Sequence, residues 1–158
     1  MLAPRCRCGG LFRCGGIFGL WSHFKGLLVP GSWAPSQQQQ QSIAYKELFP
    51  VVIAAHVWGL WWCRKHVLFR SDNDAVVHIV NSRTLKVPCL MRLLRSLLVV
   101  VARYSFTFSA QHVPGVTNQV ADALSRFRWQ EFRQLVPYAQ PLPTPIRPDL
   151  LTDMTAPL

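Results

Sequence analysis

Tyr104-Ser105-Phe106-Thr107-Phe108-Ser109-Ala110-Gln111-His112-Val113-Pro114-Gly115-Val116-Thr117-Asn118-Gln119-Val120-Ala121-Asp122-Ala123-Leu124-Ser125-Arg126 carries two periodicities separated by a turn. Tyr104, Phe106, Phe108 and Ala110 alternate with Ser105, Thr107 and Ser109, the period of a strand with one buried face. His112-Val113-Pro114-Gly115 ends the strand, because proline and glycine interrupt regular structure. Asn118 to Phe127 then reads as a helix, and Asp122 lies on it.

Working upstream, Leu90, Leu93, Leu94, Leu97, Leu98 and Val101 form the stripe of a helix packed on a core, and Pro88 suits its first turn. Arg92 and Arg95 fall off that stripe. His66 to Ser71 reads as a strand that stops at Asp72-Asn73-Asp74, residues suited to a turn or a helix N-cap. A short helix from Ala75 to about Asn81 follows. Ser42 is a plausible N-cap for a helix running to about Trp62, with Ile43, Leu48, Val52, Ala55 and Leu60 at helical spacing. Pro50 should bend that helix, unless the ordered part begins just before it.

The ends differ from this middle. Residues 1–35 are rich in Gly, Arg and Pro, and Gly16–Trp21 and Leu27–Val29 read as an imperfect hairpin or meander. Gln37 to Gln41 make a polar, uniform loop within residues 36–42. Residues 43–128 form the expected core, and residues 129–158, with Pro137, Pro141, Pro143, Pro145 and Pro148, an extended tail or linker. The order of elements gives an α/β fold, with antiparallel strands first and parallel strands later. In such sheets chemistry gathers at the carboxyl ends of strands, which is where Asp72 lies.

With 158 residues the chain suits one domain, and 50% hydrophobic against 15% charged residues excludes disorder throughout. Seventeen Lys and Arg against seven Asp and Glu leave a net charge of +10, which makes a polyanion the first partner to consider, nucleic acid ahead of an anionic membrane. The five cysteines (Cys6, Cys8, Cys14, Cys63, Cys89) lack the paired spacing of a zinc site or a disulfide framework. Val51–Trp62 and Leu97–Ala102 are too short to cross a bilayer, so no membrane is expected. The residues before Trp21 do not form a secretory signal. The expected setting is intracellular, cytoplasmic or nuclear, and not secreted.

In a chain this poor in acid, Glu47, Asp72 and Asp122 are the candidate catalytic carboxylates. Brought together, they would repel unless a hard divalent cation such as Mg²⁺ or Mn²⁺ neutralised them. The plainer alternative has Glu47 solvated, Asp72 capping a helix and Asp122 facing solvent. His112 is either a proton-transfer group or a turn residue beside Pro114-Gly115.

His112 to Arg126 resembles the closing motif of ribonuclease H domains in retroelement reverse transcriptases. Ile43-Ala44-Tyr45-Lys46-Glu47-Leu48-Phe49-Pro50-Val51-Val52 and Ser71-Asp72-Asn73-Asp74-Ala75-Val76-Val77 resemble the second and third motifs, in the same order. The resemblance is nearest to the DIRS-like, tyrosine-recombinase elements and more distant to the gypsy type, and it covers about residues 15–150. It implies a five-stranded mixed sheet flanked by helices, and cleavage of the RNA strand of an RNA–DNA hybrid with two metal ions. Carried over by position, Glu47, Asp72 and Asp122 are metal ligands and His112 assists proton transfer or product release. Asn73, Asn118, Arg92 and Arg95 contact nucleic acid, although Asn118 serves equally well as a helix cap. Adjoining reverse transcriptase and recombinase domains are the partners expected in an intact element.

One departure stands out. These domains begin with a strand that carries the first catalytic aspartate, and no acidic residue precedes Glu47 here. The corresponding segment, Arg5 to Gly16, contains Arg-Cys pairs. AGATGC encodes Arg-Cys, and read one nucleotide later it contains GAT-GC, Asp then Ala, so we hypothesise a frame-shifted remnant; coding DNA lacking that neighbouring Asp-Ala would refute it. The first strand is expected to be incomplete and the nuclease impaired. The alternatives are a non-catalytic nucleic-acid-binding remnant, using Arg64, Lys65, Arg92, Arg95, Arg126 and Arg128, and a decayed reading frame without a stable fold, in which Trp61 and Trp62 are exposed.

Overall fold

A computed structural model describes residues 10–15, 21–24, 27–29, 41–115, 119–142 and 144–150. The architecture is mixed α/β. In chain order the elements are β1 (Gly10–Gly15), β2 (Trp21–Phe24), β3 (Leu27–Val29), α1 (Ile43–Trp58) with a 3-10 turn (Gly59–Trp62), β4 (His66–Ser71), α2 (Asp74–Ser82), α3 (Pro88–Tyr104), β5 (Thr107–His112), α4 (Gln119–Ser125) and α5 (Trp129–Leu135). The strands lie in the order β3-β2-β1-β4-β5. β1 pairs antiparallel with β2 and parallel with β4, and β4 pairs parallel with β5. The first strand is therefore six residues of paired backbone. Of the hairpin expected at Gly16–Trp21, residues 16–20 lie outside the described residues, as do Arg5, Arg7 and the Gln-rich loop apart from Gln41 and Ser42.

α1 starts where expected: the Ser42 hydroxyl accepts from the Tyr45 amide at 3.2 Å. Pro50 sits inside the helix, and the helix continues through it to Trp58. Nearly every residue from Leu48 to Ala55 is buried, so tertiary packing outweighs the lost backbone hydrogen bond. Ile43–Trp62 is long and apolar enough to cross a membrane by length and composition, with mean hydropathy 1.3, but two-thirds of it lies inside the fold, as in a core helix.

α1 packs on α3. Gly59 permits the close approach at their ends, because a Cβ there would come 2.6 Å from the Tyr104 ring and 3.1 Å from Val100. On α3, Leu90, Leu93, Leu94 and Leu97 are buried as the stripe predicts, with Val100 rather than Val101 at its end. Tyr104 belongs to this helix, not to the strand after it. Ser105 then turns the chain with φ 52°, and β5 opens at Thr107 with Phe106 and Phe108 both buried. The alternation thus gave the right faces, but the helix overran its first residue. Trp62 is fully buried, edge-on to Phe69 and Phe106; only Trp61 is exposed.

The proline-rich segment is not uniformly extended. It begins with α5, whose Phe132 joins Ala123, Leu124, Val136 and Ala139 in a second small core. Arg133 fixes the following turn by donating to the carbonyls of Ala139, Gln140 and Pro141.

Candidate functional site

β4 delivers the central groups of the site. Its inward positions are Val67, Phe69 and Ser71, so a hydroxyl occupies the last place on an otherwise apolar face. The Ser71 hydroxyl donates to Glu47 Oε2 at 3.1 Å and accepts from the Asn73 amide at 3.1 Å. Glu47, 5% exposed on α1, is one of two buried polar residues among those described; Ser71 is the other. Burial first, and the charge of Asp72 second, push the Glu47 carboxyl up to about 7, against hydrogen bonds from Ser71 and Asn73 that favour its ionised form. Glu47 is therefore not solvated.

Asp72 is exposed beside it, and a Cβ on Gly115 would lie 3.4 Å from Asp72 Oδ2, so the loop after β5 passes directly over this carboxylate. The helix cap is Asn73, not Asp72: Asn73 Oδ1 accepts from the Ala75 and Val76 amides. Its side-chain carbonyl is thus engaged in capping while its side-chain amide supports Glu47. His112 is the register partner of Ser71, and its Nε2 lies 3.8 Å from Asp74 Oδ1, both side chains being solvent-accessible.

Asp122 is placed differently. α4 packs on β1 and β2, and the Asp122 carboxylate is held by Arg126, 2.7 Å away at Nε, and by Arg128, which also reaches Glu131 at 2.8 Å. Among the described residues no three His, Cys, Asp or Glu side chains form a group able to hold a metal ion. Glu47 and Asp72 come together; the expected third ligand, Asp122, is engaged by arginines instead. Asn118 lies outside the described residues.

Arg92 and Arg95 line a cavity of about 420 Å³ with Leu85, Lys86, Pro88 and Met91. The other basic candidates are less available: Lys65 Nζ donates to the Trp61 carbonyl, and Arg126 and Arg128 pair with acids. Sequence reasoning missed Ser71 and Lys86. The signal for Ser71 was its parity with Val67 and Phe69, whereas nothing in the local pattern marked Lys86.

No protein-family model matches the chain. Over 90 residues, 57% of its length, it is 33% identical to the "Putative enzymatic polyprotein" of Cassava vein mosaic virus, and this match spans 14% of that polyprotein. The similarity supports a polyprotein-type origin for the chain.

Proposed function

We propose that the chain is a ribonuclease H-like domain of a retroelement polyprotein, by descent a metal-dependent endonuclease on the RNA strand of RNA–DNA hybrids, impaired here by loss of its first aspartate. The observation that carries this reading is the Glu47–Asp72 pair: a buried carboxylate held against a second one at the carboxyl end of a parallel strand. The mixed sheet, the order of the three motifs and the viral polyprotein similarity also support it.

Two adjacent carboxylates fit a hard cation such as Mg²⁺ or Mn²⁺ through oxygen ligands. They fit one ion better than the two of an intact site, given the engagement of Asp122. Such an ion supplies a more acidic bound water and charge neutralisation at the leaving oxygen. Ser71 and Asn73 orient Glu47 for this role, and His112 is the proton-transfer group at the adjoining strand end. The β1–β4 ladder sets Arg13 beside Arg70, one position before Ser71, so Arg13 is the first-strand position at which to restore a carboxylate.

The test is cleavage of an end-labelled RNA strand in an RNA–DNA hybrid with Mg²⁺ or Mn²⁺, comparing the chain with Asp72→Asn and Arg13→Asp. We expect weak or no cleavage by the chain, a gain in Arg13→Asp and none in Asp72→Asn. Cleavage indifferent to Asp72→Asn, or Mn²⁺ binding unchanged by Glu47→Gln with Asp72→Asn, would refute the assignment. The arginine clamp on Asp122 favours a second reading, a non-catalytic nucleic-acid-binding remnant, which predicts salt-sensitive hybrid binding without cleavage in any of the three proteins.

A further inference from the structure

The segment between α2 and α3 passes through Leu85, Lys86 and Val87 and, with the first turns of α3, walls the cavity of about 420 Å³. Its surfaces divide by chemistry. Leu85, Pro88 and Met91 supply apolar area, while Lys86, Arg92 and Arg95 supply three cations, and no acidic residue lines it. Among the described residues no carboxylate pairs with Lys86 or Arg95. The first turn of α3 holds no acid and its N-cap, Val87, offers no side-chain oxygen, so the positive end of this helix adds to the same field.

A ligand that satisfies both surfaces needs a compact anion beside a flat apolar group. An acidic peptide side chain would meet the cations but leave the apolar area wet. A nucleotide covers both, since a phosphate suits the arginine fork and a base can lie against proline, leucine and the polarisable methionine thioether. The volume falls in the range of small-molecule sites, roughly 300–1,000 Å³. In a duplex the bases are paired and stacked inward, so only an unpaired base can enter.

We propose that this cavity seats one nucleotide of a single-stranded nucleic acid, its base on Leu85, Pro88 and Met91 and its phosphates on Lys86, Arg92 and Arg95. This rests on nucleic acid being the partner, but not on cleavage or on the Glu47–Asp72 pair. It gives the domain a grip on strand that has left a hybrid or not yet entered one.

The experiment measures fluorescence anisotropy of a labelled twelve-nucleotide oligothymidylate, the corresponding DNA duplex and an RNA–DNA hybrid with the full chain at one fixed salt concentration, with unlabelled thymidine monophosphate as competitor. The single strand should bind more tightly than the duplex, and Met91→Trp, which fills the cavity, should raise its Kd about tenfold while leaving hybrid binding unchanged. Lys86→Glu with Arg95→Glu should abolish the single-strand preference. Competition by the monophosphate at strand-like concentrations would overturn the strand assignment in favour of a free nucleotide. Because Met91→Trp also risks the fold, a 4-thiothymidine oligonucleotide is photocrosslinked to the unmodified chain and mapped by mass spectrometry. Adducts at residues 85–95 are expected, and adducts elsewhere only would overturn the proposal. None of the single-strand readouts uses cleavage, so their failure beside hybrid cleavage by Arg13→Asp would sink the cavity assignment alone, and absence of that cleavage with the single-strand readouts intact would sink only the nuclease.

Discussion

Glu47 and Asp122 are both candidate carboxylates, on helices that flank the same sheet, yet their surroundings are opposite. Glu47 lies beside the main core, on a helix buried along most of its length, and the charge of Asp72 adds to burial in raising its pKa. Asp122 lies beside the small second core, half open to water, with two guanidiniums on it. The contrast teaches that a carboxylate in a dry pocket answers to burial and to a neighbouring carboxylate, whereas one at the surface is neutralised by whatever arginine the next turn provides. Arg126 and Arg128 are that next turn.

The largest effect should come from emptying the main core. Trp62→Ala should cost about 3–5 kcal/mol in denaturant unfolding, because it empties a fully enclosed site beside Phe69 and Phe106. A loss below 1 kcal/mol would mean that the main core is not the stable half. Next, Glu47→Gln should stabilise the fold at pH 8, by at most about 3 kcal/mol, and by almost nothing at pH 4.5. The sign follows from the raised pKa: the folded state holds a proton that the unfolded chain releases, so stability is full below the ordinary carboxyl value and declines as pH rises to about 7. Thermal melts across that range, without divalent metal, test it.

His56 provides the counterweight. It shares a 2.8 Å hydrogen bond with Ser96 between α1 and α3, and burial, then Arg147 and Arg103, lower its pKa. Its contribution is full above the ordinary imidazole value and is lost as pH falls below about 6.5, since the unfolded chain takes up the proton first. His56→Gln should therefore flatten the acid side of the stability profile, while Glu47→Gln flattens the neutral side. The smallest effect is expected at the surface: Asp122→Asn should cost about 0–1 kcal/mol at low salt and less at high salt. A larger loss would show that the clamp organises the second core.

The legible parts of the fold were those that periodicity controls. The leucine stripe of α3, the Ser42 cap and the aromatic face of β5 followed from spacing, because one buried face fixes register. The boundary at Tyr104 did not, since Ser105 leaves the helix through a left-handed conformation that no residue pattern announced. α5 was hidden by the prolines after it; the burial of Phe132 is a long-range fact. At the site, the motifs singled out Glu47, Asp72 and Asp122 together, and the fold places the first two side by side. They could not foresee the arginines on Asp122, because the motif fixes a residue type at a position and not which neighbour reaches it first.

The position of β1 at the middle of the sheet bears on how the chain assembles. Its parallel partner, β4, lies far along the sequence, with Gly10 opposite Val67. The sheet therefore closes around its earliest strand only after α1 and β4 exist, and such distant pairings slow folding. A ribosome would release β1 well before its partner, leaving that strand's backbone to wait in water.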